Sequence, residues 1–297
     1  MSDYFWDNQI EYLRKTRELY YNDDYLEFLI DRVWKFTTPI NIIDFGCGYG
    51  FLGLKLLPML PAGSTYTGID LGIELINRAK EIFQHTSFQT QFIQGDIGTM
   101  HVERKYDVAI CHAFLLHMVE PEKTIKKMIN SVCDQGKVIC FEPHWISNMS
   151  NYFFDGIDQS QIIKLGILQK LYEEDFKRLG KSGNFGMQVP VILSKLGLTD
   201  VECRISDKVN FLDQNMQTTQ IEQLYLSLRE EGLGQQPGDR NEIIQSLINK
   251  GLTDDEACAQ YDAELTFSKE FGNQSWLTYS LNMKISFGTV RLEGSSK

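Results

Sequence analysis

The sequence predicts an α/β fold: a mostly parallel sheet with helices on both faces. Three observations carry that prediction. Between about residues 40 and 142, short β-branched runs alternate with amphipathic helical stretches, the pattern of βαβ units. The first of these runs passes directly into a glycine-rich junction, Gly46-Cys47-Gly48-Tyr49-Gly50. Near the C-terminal end, NMKISFGTVRL alternates apolar and polar residues as an antiparallel edge strand does. A chain of 297 residues with 42% hydrophobic and 23% charged residues can bury a core without staples and is neither disordered nor of low complexity.

Taken in order, the first 38 residues read as a helical cap. Leu26, Leu29, Ile30, Val33 and Trp34 form an apolar stripe that stops before Pro39, and the aromatic-rich segment from Tyr4 to Tyr21 has too little turn chemistry for a linker. Strands are expected over 40–45, 65–70, 90–96, 105–111 and 136–142. Between the second and third, Leu75, Ile76, Ala79, Ile82 and Phe83 share one helical face. Between the fourth and fifth, PEKTIKKMINSVCDQG predicts a helix that starts at Pro121 and stops before Gly136. Residues 39–297 form the main domain, interrupted at about 146–186 and 213–275 by insertions read as helical. Between the insertions, VPVILSKLGLTDVECRISDKV reads as a helix, a Gly197 stop and a sixth strand; the terminal edge strand is the seventh.

Twenty-nine basic against forty acidic residues give a net charge of −11, which disfavours nucleic acid as a partner. No window of 18 residues is free of charge and the N-terminus lacks an apolar run, so neither a membrane span nor a signal peptide is expected. Six cysteines without paired spacing point to a reducing, cytoplasmic setting and to no metal site.

The glycine junction admits two readings. Gly48-Tyr49-Gly50-Phe51-Leu52-Gly53 satisfies the dinucleotide pattern GxGxxG, with Asp70 at the distance a ribose-binding acid requires. Against it, Asp44 lies two residues ahead of the first glycine, badly placed beside a pyrophosphate and well placed beside a cationic ammonium group.

DFGCGYG resembles the first motif of class I S-adenosylmethionine-dependent methyltransferases of the small-molecule type. The resemblance continues in order. Gly68-Ile69-Asp70 is similar to the acidic end of the second strand, Gln94-Gly95-Asp96-Ile97 to the adenine-binding turn, and Tyr106-Asp107-Val108 to the start of the fourth strand. Phe114-Leu115-Leu116-His117-Met118 resembles the Leu-His-His-Leu run, with Met118 in place of the second histidine. Gly136-Lys137-Val138 resembles the glycine-led fifth strand, and Leu193-Ser194-Lys195-Leu196-Gly197-Leu198 the helix end before the sixth. The matches cover most of residues 40–145 and 188–212, and Asp44, Asp70 and Asp96 recur at a constant interval of 26 residues.

The resemblance implies a Rossmann-like, seven-stranded, mostly parallel sheet with an antiparallel last strand and helical cap or lid insertions. It implies S-adenosyl-L-methionine as cofactor, S-adenosyl-L-homocysteine as product and a small-molecule methyl acceptor. It also implies the cofactor contacts: Gly46, Cys47 and Gly48 with Asp44 nearby for the methionine part, Asp70 for the ribose hydroxyls, Leu71 for one face of the adenine, Asp96 for its amine, the Ile97 amide for a ring nitrogen, and His112 facing the cofactor. A solvated turn or helix cap is the plain alternative for each aspartate; Asp44 could instead brace the loop.

Methyl transfer needs a base only if the acceptor keeps its proton near neutral pH. His112 and His117 after the fourth strand, and Glu142 and His144 at the end of the fifth, are the candidates, because ligands of open α/β sheets bind at that edge. Glu142 could equally be a buried carboxylate bonded to backbone, and His117 a loop-ordering residue. The sequence lacks the Asn/Asp-Pro-Pro-Tyr/Phe run of nucleic-acid amino-methylating enzymes, a Pro-Cys nucleophile, and a carboxylate trio for metal-dependent catechol chemistry. The insertion aromatics Tyr152, Phe153, Phe154, Phe185, Tyr225 and Trp276 suit a lid over an acceptor pocket, a homodimer surface being the competing use. Trp6, Tyr20 and Tyr21 are placed to close the cofactor side, or to pack in the core. Two other functions remain: an NAD(P)-dependent oxidoreductase, through the GxGxxG, and a cofactor-binding scaffold without catalysis.

Overall fold

In the computed structural model, residues 4–292 are described. Helices α1 (Ile10–Thr16) and α2 (Asp23–Phe28) open the chain, and α2 runs on as a π-helical stretch, Leu29–Trp34, that ends at Lys35 in the left-handed region. Strand β1 (Asn41–Phe45), helix α3 (Phe51–Leu56), β2 (Thr65–Asp70), α4 (Ile73–Phe83), β3 (Gln89–Gln94), β4 (Tyr106–His112), α5 (Pro121–Ser131) and β5 (Val132–Pro143) then build the parallel half of the sheet. Beyond it come α6 (Trp145–Asn148), β6 (Tyr152–Phe154), α7 (Gln159–Ile162), α8 (Leu165–Leu179), α9 (Val189–Lys195), β7 (Thr199–Ile205) and β8 (Asn210–Leu212). The chain continues through α10 (Thr218–Glu230), α11 (Arg240–Asn249), α12 (Asp254–Glu270), β9 (Leu277–Tyr279) and β10 (Met283–Thr289).

Seven strands make one sheet in the order β3-β2-β1-β4-β5-β10-β7, with β10 antiparallel to both of its neighbours. This is the Rossmann-like arrangement expected, including the antiparallel last strand. Because successive side chains of a strand face opposite ways, Ile42, Val108, Ile110, Ile139 and Phe141 pack on one face beneath the N-terminal helices and α4. Ile43, Ala109, Cys111, Val138 and Cys140 pack on the other beneath α5 and α9. The stripe Leu26, Leu29, Ile30 and Trp34 is part of the first of these cores.

Three expectations about elements are corrected. The helix after Pro121 ends at Ser131, not near Gly136, because residues 132–135 already belong to β5. Gly136 does not cap a helix; it lets β5 approach β4, since a Cβ there would lie 2.4 Å from the Asp107 carbonyl. Strand β3 stops at Gln94, two residues early, where the Gly95 amide donates to the Asp70 carbonyl at 2.9 Å and the chain turns.

The insertions are not purely helical. Strands β6, β9 and β8 form a second, three-stranded antiparallel sheet that ties the two insertions together. Three-residue strands leave almost no periodicity to read, so only the pairing reveals them. Helices α11 and α12 add a small core of their own with Leu247, Leu252 and Ala257. Among the described residues no helix is long and apolar enough to cross a membrane.

Candidate active site

The turn after β1 is shaped by glycine. Gly46, Gly48 and Gly50 have φ of +74°, +55° and +86°, a region that side chains with a Cβ rarely enter. The Gly46 and Cys47 amides both donate to the Ile69 carbonyl, at 2.9 and 3.0 Å, which clamps the turn against the end of β2. The two glycines then differ. A Cβ on Gly46 would lie 2.3 Å from the Phe114 ring, whereas one on Gly48 would meet nothing within 4 Å. Gly46 is therefore a packing necessity, and Gly48 exposes bare backbone to an open cleft.

Asp70 ends β2 beside this turn, 6% exposed. One carboxylate oxygen accepts the Gly48 amide at 2.8 Å and the other the Gly72 amide at 2.9 Å. Burial pushes its pKa up, opposed by these amides. Each oxygen keeps lone-pair capacity for a second donor.

A cleft opens here, lined by Gly46, Cys47, Gly48, Asp70, His112 and His117 among others. Six expected residues thus come together. His112 is held among Tyr20, Tyr21 and Phe51, whose ring centroids lie 5.9, 5.8 and 5.6 Å away. Its Nε2 has no hydrogen-bond partner, and burial lowers its pKa well below the ordinary value, so the ring is neutral. His117 packs against Trp6 with ring centroids 5.0 Å apart and planes tilted by 56°, and burial brings its pKa down to about 4.

The other expected residues lie off the cleft lining. Asp44, 1% exposed, accepts the Tyr66 hydroxyl of β2 at 2.5 Å with one oxygen while the other is buried without a partner among the described residues, and burial raises its pKa to about 7. Glu142 is wholly buried and accepts the Phe114, Leu115 and Leu116 amides at 3.0, 2.8 and 3.3 Å. Its lone pairs fix the turn after β4, the buried, backbone-bonded role that the sequence left open beside that of a base. His144 is not among the cleft-lining residues, and its Nδ1 lies 2.6 Å from the Ser147 hydroxyl. Leu71 is 46% exposed. Asp96 folds back to accept the Gly98 amide at 2.7 Å, and Ile97 is buried in the second core while its carbonyl accepts the Lys127 ammonium at 2.7 Å.

The N-terminal segment supplies what the sequence did not reveal. Tyr4, Trp6, Leu13 and Arg17 line the cleft, and Asp7 pins this segment down by accepting the Glu74 and Leu75 amides at the start of α4, each at 3.1 Å. Of these residues the sequence singles out only Trp6, as an aromatic. Arg17 is the sole Lys or Arg of the lining, and nothing in its local pattern, RKTRE, separates it from a solvated helix end.

Residues 37–178 match the protein family described as "Methyltransferase domain". The malonyl-[acyl-carrier protein] O-methyltransferase of Priestia megaterium is 31% identical over 104 residues, 35% of this chain and 37% of that protein. A ubiquinone biosynthesis O-methyltransferase of Escherichia coli is 28% identical over 100 residues, 33% of this chain and 40% of that one. The chain thus spans about two fifths of the length of the curated relatives it matches. A methyltransferase of Geobacter sulfurreducens, solved with S-adenosyl-L-homocysteine, superposes with a TM-score of 0.51 at 15% identity over 97% of this chain and 100% of that one. A phosphoethanolamine N-methyltransferase of Haemonchus contortus gives 0.52 at 13% identity over 96% of this chain and 58% of that one; at such identities both speak for the fold. Over residues 37–178, then, the chain is similar to the methyltransferase-domain family.

Proposed function

We propose that the protein is an S-adenosylmethionine-dependent methyltransferase acting on a small molecule. The observation that carries this reading is the pairing of Asp70 with the Gly48 amide at the rim of an open cleft. The residues fit the cofactor: a buried carboxylate with spare lone pairs suits a ribose diol, and the side-chain-free face of Gly48 suits close approach of the methionine part. Arg17 supplies a counter-charge for a carboxylate. Leu71, Asp96 and the Ile97 amide are the adenine side of this proposal, at the ends of β2 and β3.

When bound, the cofactor supplies an electrophilic methyl group for an O, N or C nucleophile. The chain's own task is to orient and to exclude water, which is worth about 7–11 kcal/mol when the reacting atoms are aligned. Trp6, Tyr4 and Phe51 line the cleft, and Tyr20 and Tyr21 pack against His112 from the core. With its Nε2 unpartnered, His112 is placed to make a hydrogen bond at the cleft floor, while burial disfavours its protonated form. A thermal shift separates this reading from the oxidoreductase: S-adenosyl-L-homocysteine raises the melting temperature and NADH does not. The opposite result removes the proposal.

A further inference from the structure

A second chamber, about 430 Å³, lies between the two insertions. Its apolar walls include Trp145, Tyr152, Phe267 and Tyr279. Three more of its lining residues bury a polar atom that has no hydrogen-bond partner in the protein: Glu231 Oε2, Gln260 Oε1 and Asn148 Nδ2.

Each of the three is fixed at its other end. Glu231 Oε1 accepts the Tyr20 hydroxyl at 2.8 Å, the Gln260 amide donates to Glu264 at 2.8 Å, and Asn148 Oδ1 accepts the Asn282 amide at 2.7 Å. The side chains are thus held in place while one polar atom of each stays unpaired, an arrangement that costs free energy unless a ligand completes it. Two of the three unpaired atoms are acceptors, and Glu264 adds a second carboxylate to the lining. The one Lys or Arg in that lining, Lys164, has its ammonium on the Ser160 carbonyl at 2.7 Å. The cation acting on Glu231 is Arg17, on the side of the first cleft.

The chamber and the cleft share a wall one side chain thick. Tyr20 is 2% exposed; its ring lies 5.9 Å from that of His112, a cleft residue, and its hydroxyl is on Glu231, a chamber residue.

We propose that this chamber binds a small molecule that carries a protonated amine on an apolar body, anchored by Glu231 and Gln260 with its apolar part against the aromatic walls. An ammonium supplies donors for both unpaired acceptors, and aromatic faces attract a cation further. The binding chemistry of the chamber does not rest on the methyltransferase reading.

Calorimetric titration of the full-length protein tests this with 2-phenylethylamine, 2-phenylethanol and 3-phenylpropanoate as probes. It is run with and without saturating S-adenosyl-L-homocysteine, near pH 8.5, where an alkylamine of pKa about 10.4 stays protonated. The amine is expected to bind at least about tenfold tighter than the alcohol or the acid, since a hydrogen bond to a charged group is worth roughly that factor. Saturating S-adenosyl-L-homocysteine leaves its affinity intact. Glu231→Gln and Gln260→Leu each weaken the amine by about tenfold and leave the alcohol unchanged; if Glu231→Gln fails to fold, Gln260→Leu carries the comparison. Equal binding of amine and alcohol, tighter binding of the acid, displacement of the amine by S-adenosyl-L-homocysteine, or wild-type amine affinity in the folded variants would overturn the proposal. Selective amine binding with no binding of S-adenosyl-L-homocysteine supports the chamber while removing the methyltransferase reading.

Discussion

The Asp70 carboxylate accepts the Gly48 amide at 2.8 Å across 22 residues of chain. This bond joins the end of β2 to the turn after β1, so the group proposed to hold the ribose also sets the shape of the loop proposed to hold the methionine part. Binding and loop geometry are coupled through one side chain.

Replacing Asp70 by alanine removes that coupling. Each charge-assisted bond lost is worth about 1.5–3 kcal/mol, so affinity for S-adenosyl-L-homocysteine is expected to fall at least tenfold in a calorimetric titration. Asn at the same position restores one acceptor and falls between the two. Unchanged affinity in Asp70→Ala removes this residue from the site.

The two loop glycines make opposite predictions. Gly46→Ala drives a methyl group into the Phe114 ring at 2.3 Å and at φ +74°, so stability should drop by about 1–3 kcal/mol, read as a lowered urea midpoint. Gly48→Ala meets no atom and bears only the left-handed strain, about 1 kcal/mol, yet places its methyl in the cleft and weakens S-adenosyl-L-homocysteine binding. Equal loss of stability in the two variants would contradict the contrast.

Asp44 gives the fold a pH signature. Burial raises its pKa from 3.8 to about 7, so between these values the folded state holds a proton that the unfolded chain has released. Stability from this group is fully present below about pH 4, declines by up to about 1.4 kcal/mol for each pH step as pH rises towards 7, and is level above. Urea midpoints of wild type and Asp44→Asn, compared at pH 5 and pH 8, should show a flatter dependence in the variant. Parallel curves would show that Asp44 does not titrate in this window.

Asp7 fastens the N-terminal cover. Its carboxylate caps the two amides at the start of α4, so Asp7→Ala costs about 1 kcal/mol and frees the segment carrying Tyr4 and Trp6. Limited proteolysis is then expected to cut before Leu13 faster than in wild type, and S-adenosyl-L-homocysteine affinity to fall. A proteolytic pattern identical to wild type would show that the segment is held by other contacts.

Much of the scaffold was legible because it rests on local rules. Alternation in Ile42-Ile43 and Val108-Ala109-Ile110-Cys111 assigns side chains to two sheet faces, and the spacing of Gly46, Gly48 and Gly50 marks a turn that side chains cannot make. Glu142 was legible only as an alternative: burial of a strand-end carboxylate can be foreseen, but not which three amides it accepts. Asp96 kept its place at the end of a strand, yet its carboxylate turned to its own loop because Gly98 offers a near amide.

By itself the sequence determined the seven-strand order of secondary elements, the glycine turn and the acidic residue beside it, since periodicity and backbone sterics act over a few residues. Tertiary structure alone decided that Tyr4, Asp7 and Arg17 close the cleft, that β6, β8 and β9 join the insertions, and that Tyr20 links His112 to Glu231. These contacts join residues as far as 211 apart in the chain. Their partners are chosen by packing, which no local pattern records.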